Sequence, residues 1–199
     1  MVLRTAALLA LLIVAACASA PVNLIALPPA SAPRESMATL GAGTVLVREV
    51  SLPAYLDGFP VVIARKGSTL VMSRDTEWAE RPSLGATRVL REALSTRLGA
   101  ARVLIGGDGH LPDADLAVEF VALDPQAGEL RLDARWSFSC AGGHGGRAGR
   151  TRLEVPMGAT TAEAAAAATS DALARLADVL AATPTECRPF ADDLARRGR

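Results

Sequence analysis

The sequence predicts an α+β domain, a mainly antiparallel sheet with two amphipathic helices packed on one face. Three observations predict it. Leu130, Leu132, Ala134, Trp136 and Phe138 alternate strictly with Glu129, Arg131, Asp133, Arg135 and Ser137, the period of a strand with one wet face. Strand-like runs come in pairs joined by turn residues, Lys66-Gly67-Ser68 and Pro125-Gln126-Ala127-Gly128. Two helix-period segments stand apart from those pairs, and hairpins with separate helices mark an α+β domain.

In chain order, Asn23-Leu24-Ile25-Ala26-Leu27 is a short strand-like run ended by Pro28-Pro29. Residues 31–43 read as a loop, and the folded body is expected to begin near Thr44. Residues 44–52 are β-rich and stop at Pro53, while 61–65 and 69–73 form a hairpin. Pro82 opens a helix, because its missing N–H is not needed in the first turn. Leu90, Leu94 and Leu98 recur every four residues, and Gly99 sits where a helix ends. Residues 101–105 are a short buried strand, 115–124 and 129–139 are the clearest strands, and 150–155 follow a glycine-rich loop. The last helix is expected to open at Thr160, with Glu163 at capping-box spacing, and to bury Leu173, Leu176, Ala177 and Leu180 before Pro184.

Composition narrows the function. Half of the 199 residues are hydrophobic, which excludes a disordered chain. Lys+Arg and Asp+Glu balance at 21 each, so no general affinity for nucleic acid follows. Aromatic residues at 4% leave little for base-stacking platforms.

The N-terminus carries the strongest signal. Arg4 precedes an almost wholly apolar run, residues 5–16, which is long enough for a secretory signal and too short to span a membrane. Val14-Ala15-Ala16-Cys17 resembles the bacterial lipobox, whose cysteine is lipidated and becomes the new N-terminus. An ordinary secreted protein cleaved near Ala16 or Ala20 is the alternative. On the lipobox reading, several acyl chains anchor the protein stably where one would not. Ala18, a non-Asp residue after the cysteine, points to the outer membrane. The alanine-rich stretch 162–182 carries Glu163, Asp171, Arg175 and Asp178, so it is no membrane span. Cys140 and Cys187 then remain, and an even pair in an oxidising compartment suggests one disulfide, with two free thiols as the alternative. The expected organisation is a signal peptide over 1–16, a lipidated N-terminus with a short strand and linker over 17–43, a body over 44–182 and a C-terminal tail over 183–199 that frays at its end, 192–199.

Catalytic constellations are not found. His110 and His144 lie in glycine-rich loops without ligand partners at metal spacing, so they read as surface histidines and no metal or cofactor is expected. The glycine loops lack Gly-Lys-Ser/Thr, and there is no Gly-x-Ser-x-Gly. Asp75, Glu77 and Glu80 flank Trp78 without a spacing that selects an acid/base pair. One run, residues 50–59, holds the only tyrosine within a Pro/Gly-bounded loop. Pro53, Tyr55, Leu56 and Phe59 are therefore candidate partner-binding residues, the alternative being a loop whose aromatics tuck into the core.

Several segments carry a resemblance to the ABC-type transport auxiliary lipoprotein family (PqiC/YmbA-like). They are Val47-Arg48-Glu49-Val50-Ser51-Leu52-Pro53-Ala54-Tyr55-Leu56-Asp57, Val61-Val62-Ile63-Ala64-Arg65, Glu77-Trp78-Ala79-Glu80-Arg81-Pro82 and the helix holding Val89-Leu90, in this order behind a lipobox. The resemblance runs from Cys17 to about Ala182; Asn23-Leu24-Ile25 lacks the family's usual tyrosines, and the tail with Cys187 departs from the pattern. It implies a non-enzymatic periplasmic lipoprotein at the outer membrane, serving an envelope lipid transporter and contacting its MCE-domain protein. Self-association as a ring is implied as well. Two rivals from other classes are an assembly or plug lipoprotein for an outer-membrane barrel or lipopolysaccharide machinery, and a lipid-anchored hydrolase.

Overall fold

The structure, a computed structural model, describes residues 21–33, 43–99, 102–104, 111–141, 145–185 and 187. Cys17, His110, His144 and residues 188–199 lie outside the described residues, as do the signal peptide and the end of the tail. The elements run β1 (Asn23–Ile25), β2 (Val45–Val47), β3 (Pro60–Lys66), β4 (Thr69–Trp78), α1 (Pro82–Leu98), β5 (Val103–Leu104), β6 (Ala114–Gln126), β7 (Glu129–Cys140), β8 (Gly146–Pro156) and α2 (Ala162–Ala181).

The fold is α+β, with the strands in two mixed sheets, ordered β1-β4-β3 and β5-β2-β6-β7-β8. The long ladders β3–β4, β6–β7 and β7–β8 are antiparallel, but β1 lies parallel to β4, and β2 lies parallel to both β5 and β6. The α+β class and the mainly antiparallel pairing are as expected; the strands divide between two sheets, and each sheet also carries short parallel pairings. Hairpins account for the antiparallel ladders; parallel partners need a long crossover, here the β3–β4 hairpin and α1 between β2 and β5. A register shift between Phe120 and Ala122 breaks the β6–β7 ladder, as a bulge does, and the β3 hairpin lies against β6.

The alternation in β7 survives intact. Leu130, Leu132, Ala134, Trp136, Phe138 and Cys140 are buried, while Arg131, Arg135 and Ser139 are exposed. On the charged face Asp133 accepts from Arg150 and Arg152 on β8, and the Arg150 guanidinium opposes burial to hold its carboxyl at about 2. Trp136 pairs across the ladder with Gly149, and its indole covers that glycine so closely that a Cβ there would lie 2.3 Å from Cζ2. Its N–H donates to Thr151 Oγ1 at 2.9 Å.

The two helices pack side by side over the core. Arg97 of α1 is almost fully buried and donates to Asp178 of α2 at 2.6 Å. Gly99 closes α1 at φ 91°, a left-handed conformation that a Cβ would oppose. Thr161, not Thr160, caps α2, accepting from Ala164 N at 3.2 Å. Glu163 falls in the first turn one position short of the capping-box site, so the box does not form.

The N-terminal end of the body differs from expectation. The short strand expected within 17–43 is β1, but it pairs with β4 instead of standing apart from the body, and Leu27 is a core residue. The body therefore begins at Asn23, not near Thr44. Ser170 donates to Pro28 O at 2.8 Å and Arg88 to Leu27 O at 3.2 Å, so this segment runs onto both helices. At the other end Thr183, Thr185 and Cys187 are buried. Cys140 and Cys187 form a disulfide with a Cα–Cα distance of 5.2 Å, joining the tail to the end of β7.

Candidate functional site

The loop between β2 and β3 is built by β6, α1 and β4 together. After β2 the chain stays beside β6 as far as Ser51, whose N–H donates to Val118 O at 2.9 Å and whose carbonyl accepts from Phe120 N at 2.8 Å. Pro53 then stops the pairing, because it has no N–H to continue the ladder. Two tight turns follow, Leu56 N to Pro53 O at 2.8 Å and Asp57 N to Ala54 O at 3.3 Å. The loop closes where Trp78 N donates to Phe59 O at 2.7 Å.

Asp57 anchors the middle. It accepts the Ser83 N–H at 2.9 Å and pairs with Arg81, so a carboxylate from a distant loop sits on the N-terminus of α1. That helix lacks a side-chain cap of its own at Arg81. Burial acts to raise the Asp57 carboxyl, and the Ser83 N–H and the Arg81 guanidinium outweigh it, leaving the group below the usual carboxylate range. Asp57→Asn keeps an acceptor for the Ser83 N–H and removes the charge, so it should cost about 0.3–1 kcal/mol near neutral pH, the scale of a charge at a helix N-terminus. A folded-state pKa below the unfolded one stabilises fully above the unfolded value and is lost as pH falls through the folded one. The stability gap between wild type and Asp57→Asn should thus narrow below about pH 4. Melting curves on both proteins from neutral to acid pH check this; a gap that stays constant would refute it.

The candidate partner residues separate. Tyr55 is 42% exposed and Phe59 is 53% exposed, while Pro53 is partly buried. Leu56 is 7% exposed and is corrected to a core residue. Its side chain lines an apolar cavity with Leu27, Val62, Trp78, Pro82 and Phe120. That cavity measures about 30 Å³, a water-sized space with no room for an acyl chain. Sequence reasoning missed Arg65 and Asp124. Arg65 lies 5.8 Å from the Tyr55 ring centroid and donates to Asp124 at 2.6 Å, and at 3.4 Å to the tyrosine hydroxyl. Asp124, then Tyr55, raise the Arg65 guanidinium above its usual value. Nothing local could have revealed the group, because its members come from a loop, β3 and β6.

The carboxylates near Trp78 do not converge on a reaction centre. Asp75 accepts from Ser73 and Thr76, and Glu80 pairs with Arg88. Among the described residues no three of His, Cys, Asp and Glu group as metal ligands. No helix among the described residues is long and apolar enough to cross a membrane.

The model of the family described as the ABC-type transport auxiliary lipoprotein component matches residues 23–181. Two solved structures share the fold. One, of an uncharacterized protein, superposes with a TM-score of 0.64 at 17% identity, over 81% of this chain and 97% of that one. The other, a Xanthomonas campestris protein of the DUF330 family, gives 0.61 at 13% identity, over 79% of this chain and 92% of that one. No curated protein matches the chain.

Proposed function

The chain belongs to the ABC-type transport auxiliary lipoprotein family, and from that premise we propose that it is a non-enzymatic subunit holding an envelope lipid transporter at the outer membrane. The family is an auxiliary component of an ABC-type transport system, so a transporter is its partner class. The finer reading is ours. Cys17 carries the lipid anchor, the domain faces the periplasm, and it contacts the MCE-domain protein of the transporter, as a monomer or within a ring.

The observation that carries the contact is the loop over residues 51–59. Its backbone is tied to β6, to α1 through Asp57 and to β4 through Phe59, while Tyr55 stands outside with an arginine beneath its ring. A loop held this way loses little entropy on docking, and an exposed aromatic beside an arginine is the composition of a binding hot spot. Pro53, Tyr55 and Phe59 are retained as the partner-binding residues; Leu56 supports them from the core.

Affinity capture from envelope membranes, read by mass spectrometry, tests the assignment. An MCE-domain protein with its permease is the expected catch, and a barrel protein in its place would overturn it in favour of an assembly or plug role. Tyr55→Ala should lower partner recovery about tenfold or more, since roughly 1.4 kcal/mol corresponds to tenfold. Its melting temperature should stay near wild type, because the ring is already half in solvent. Wild-type recovery by a well-folded Tyr55→Ala protein would remove this residue from the interface.

A further inference from the structure

We infer that the outward face of the small sheet, at β1, rests on the membrane surface. The inference rests on the lipid anchor at Cys17 proposed above and adds which side of the domain that anchor presents to the bilayer.

The first argument is reach. Five residue steps separate Cys17 from Val22. An extended chain spans at most about 3.6 Å per residue, so an acylated Cys17 lies within about 18 Å of Val22 whatever path the chain takes. A compact body of this size is roughly 40 Å across, by the scaling of radius with chain length. The tether is too short to bring the far side of the domain to the bilayer. The half of the domain where the chain enters β1 has to face it.

The second argument is what that surface presents. Ile25 and Trp78 pair in register and turn inward to the core. One position earlier Leu24, Glu77 and Pro60 form a row across β1, β4 and β3, on the opposite face. Leu24 is 68% exposed and Val22 is 50% exposed. Beside a lipid anchor they match the headgroup and acyl boundary, where apolar side chains are accommodated at little cost. Glu77 in the middle of the row sets the depth: a carboxylate belongs among headgroups, including the ammonium groups of phosphatidylethanolamine, and not in the acyl core.

The test uses the full-length, processed lipoprotein in phosphatidylethanolamine/phosphatidylglycerol vesicles carrying brominated acyl chains, which quench tryptophan on contact. Trp78 and Trp136 are buried, so the native background is insensitive. Leu24→Trp and, as a second probe, Val22→Trp should lose at least about half their added emission to bromine placed near the headgroups, and less to deep bromine. Glu119→Trp, on the charged face of the large sheet, should lose none. Intact mass is taken on the same samples. If Cys17 is acylated and neither Leu24→Trp nor Val22→Trp is quenched, or Glu119→Trp is quenched equally, this surface is wrong and the lipoprotein reading stands. If Cys17 carries no acyl chains, both fall.

Discussion

Cys17→Ala should move the protein from the membrane fraction to the soluble fraction almost completely, and labelled fatty acid should no longer be incorporated. The effect is this large because the anchor has no substitute among the described residues, where no helix is long and apolar enough to span a bilayer. The exposed row at Val22 and Leu24 is two side chains wide, which gives only weak interfacial binding on its own. Several acyl chains anchor stably where one exchanges. The folded domain itself should be unaffected, with the same melting temperature as the unlipidated wild-type body, because Cys17 lies ahead of β1. A wild-type protein found soluble, with a mature N-terminus after Ala20, would refute the lipid anchor.

Cys187→Ser should lower stability by about 2–4 kcal/mol, the usual worth of a bridge that shortens the unfolded chain. The two cysteines are 47 residues apart, a loop long enough to fall at the upper end of that range. For a domain of this size the loss corresponds to roughly 5–15 °C in melting temperature. Cys140→Ser should give the same loss, and the two together no more than either alone, since each removes one and the same bond. Reducing the wild type should reproduce it. Thermal melts with and without reductant measure the effect, and peptide mapping without reductant identifies the linked pair. Two freely alkylated thiols in protein purified from the envelope would end the idea.

Periodic segments were legible from residues alone. The β7 alternation and the four-residue spacing of Leu90, Leu94 and Leu98 are local, and each is enforced by one buried face. The parallel pairings were not legible. Val45–Val47 and Val103–Leu104 are too short to show a period, and what draws them to a common sheet is the crossover between them. The proline pair after Leu27 read as the end of an isolated strand, whereas the segment continues into the core through contacts with α1 and α2 that no neighbouring residue announces. The candidate site was half legible. The Pro/Gly bounds and the aromatics of residues 51–59 marked a loop. Which of its side chains turn inward depends on Leu27, Trp78 and Phe120, which assemble the cavity that takes Leu56 and leaves Tyr55 outside.

The course of the first described segment also has a mechanical side. A pull on the chain ahead of Val22 enters the domain through β1, whose three residues are held alongside β4 in a parallel ladder. Load along that strand is resisted by all the bonds of the ladder at once, in shear, and not opened one at a time. Beyond the ladder, Leu27 is lodged in the core, Arg88 holds its carbonyl from α1, and Ser170 holds the carbonyl of Pro28 from α2. Tension is thereby shared between a sheet and two helices before it reaches the 51–59 loop. A domain tethered ahead of Val22 and gripped at the 51–59 loop would bear the drag between tether and partner without distorting the face it offers that partner.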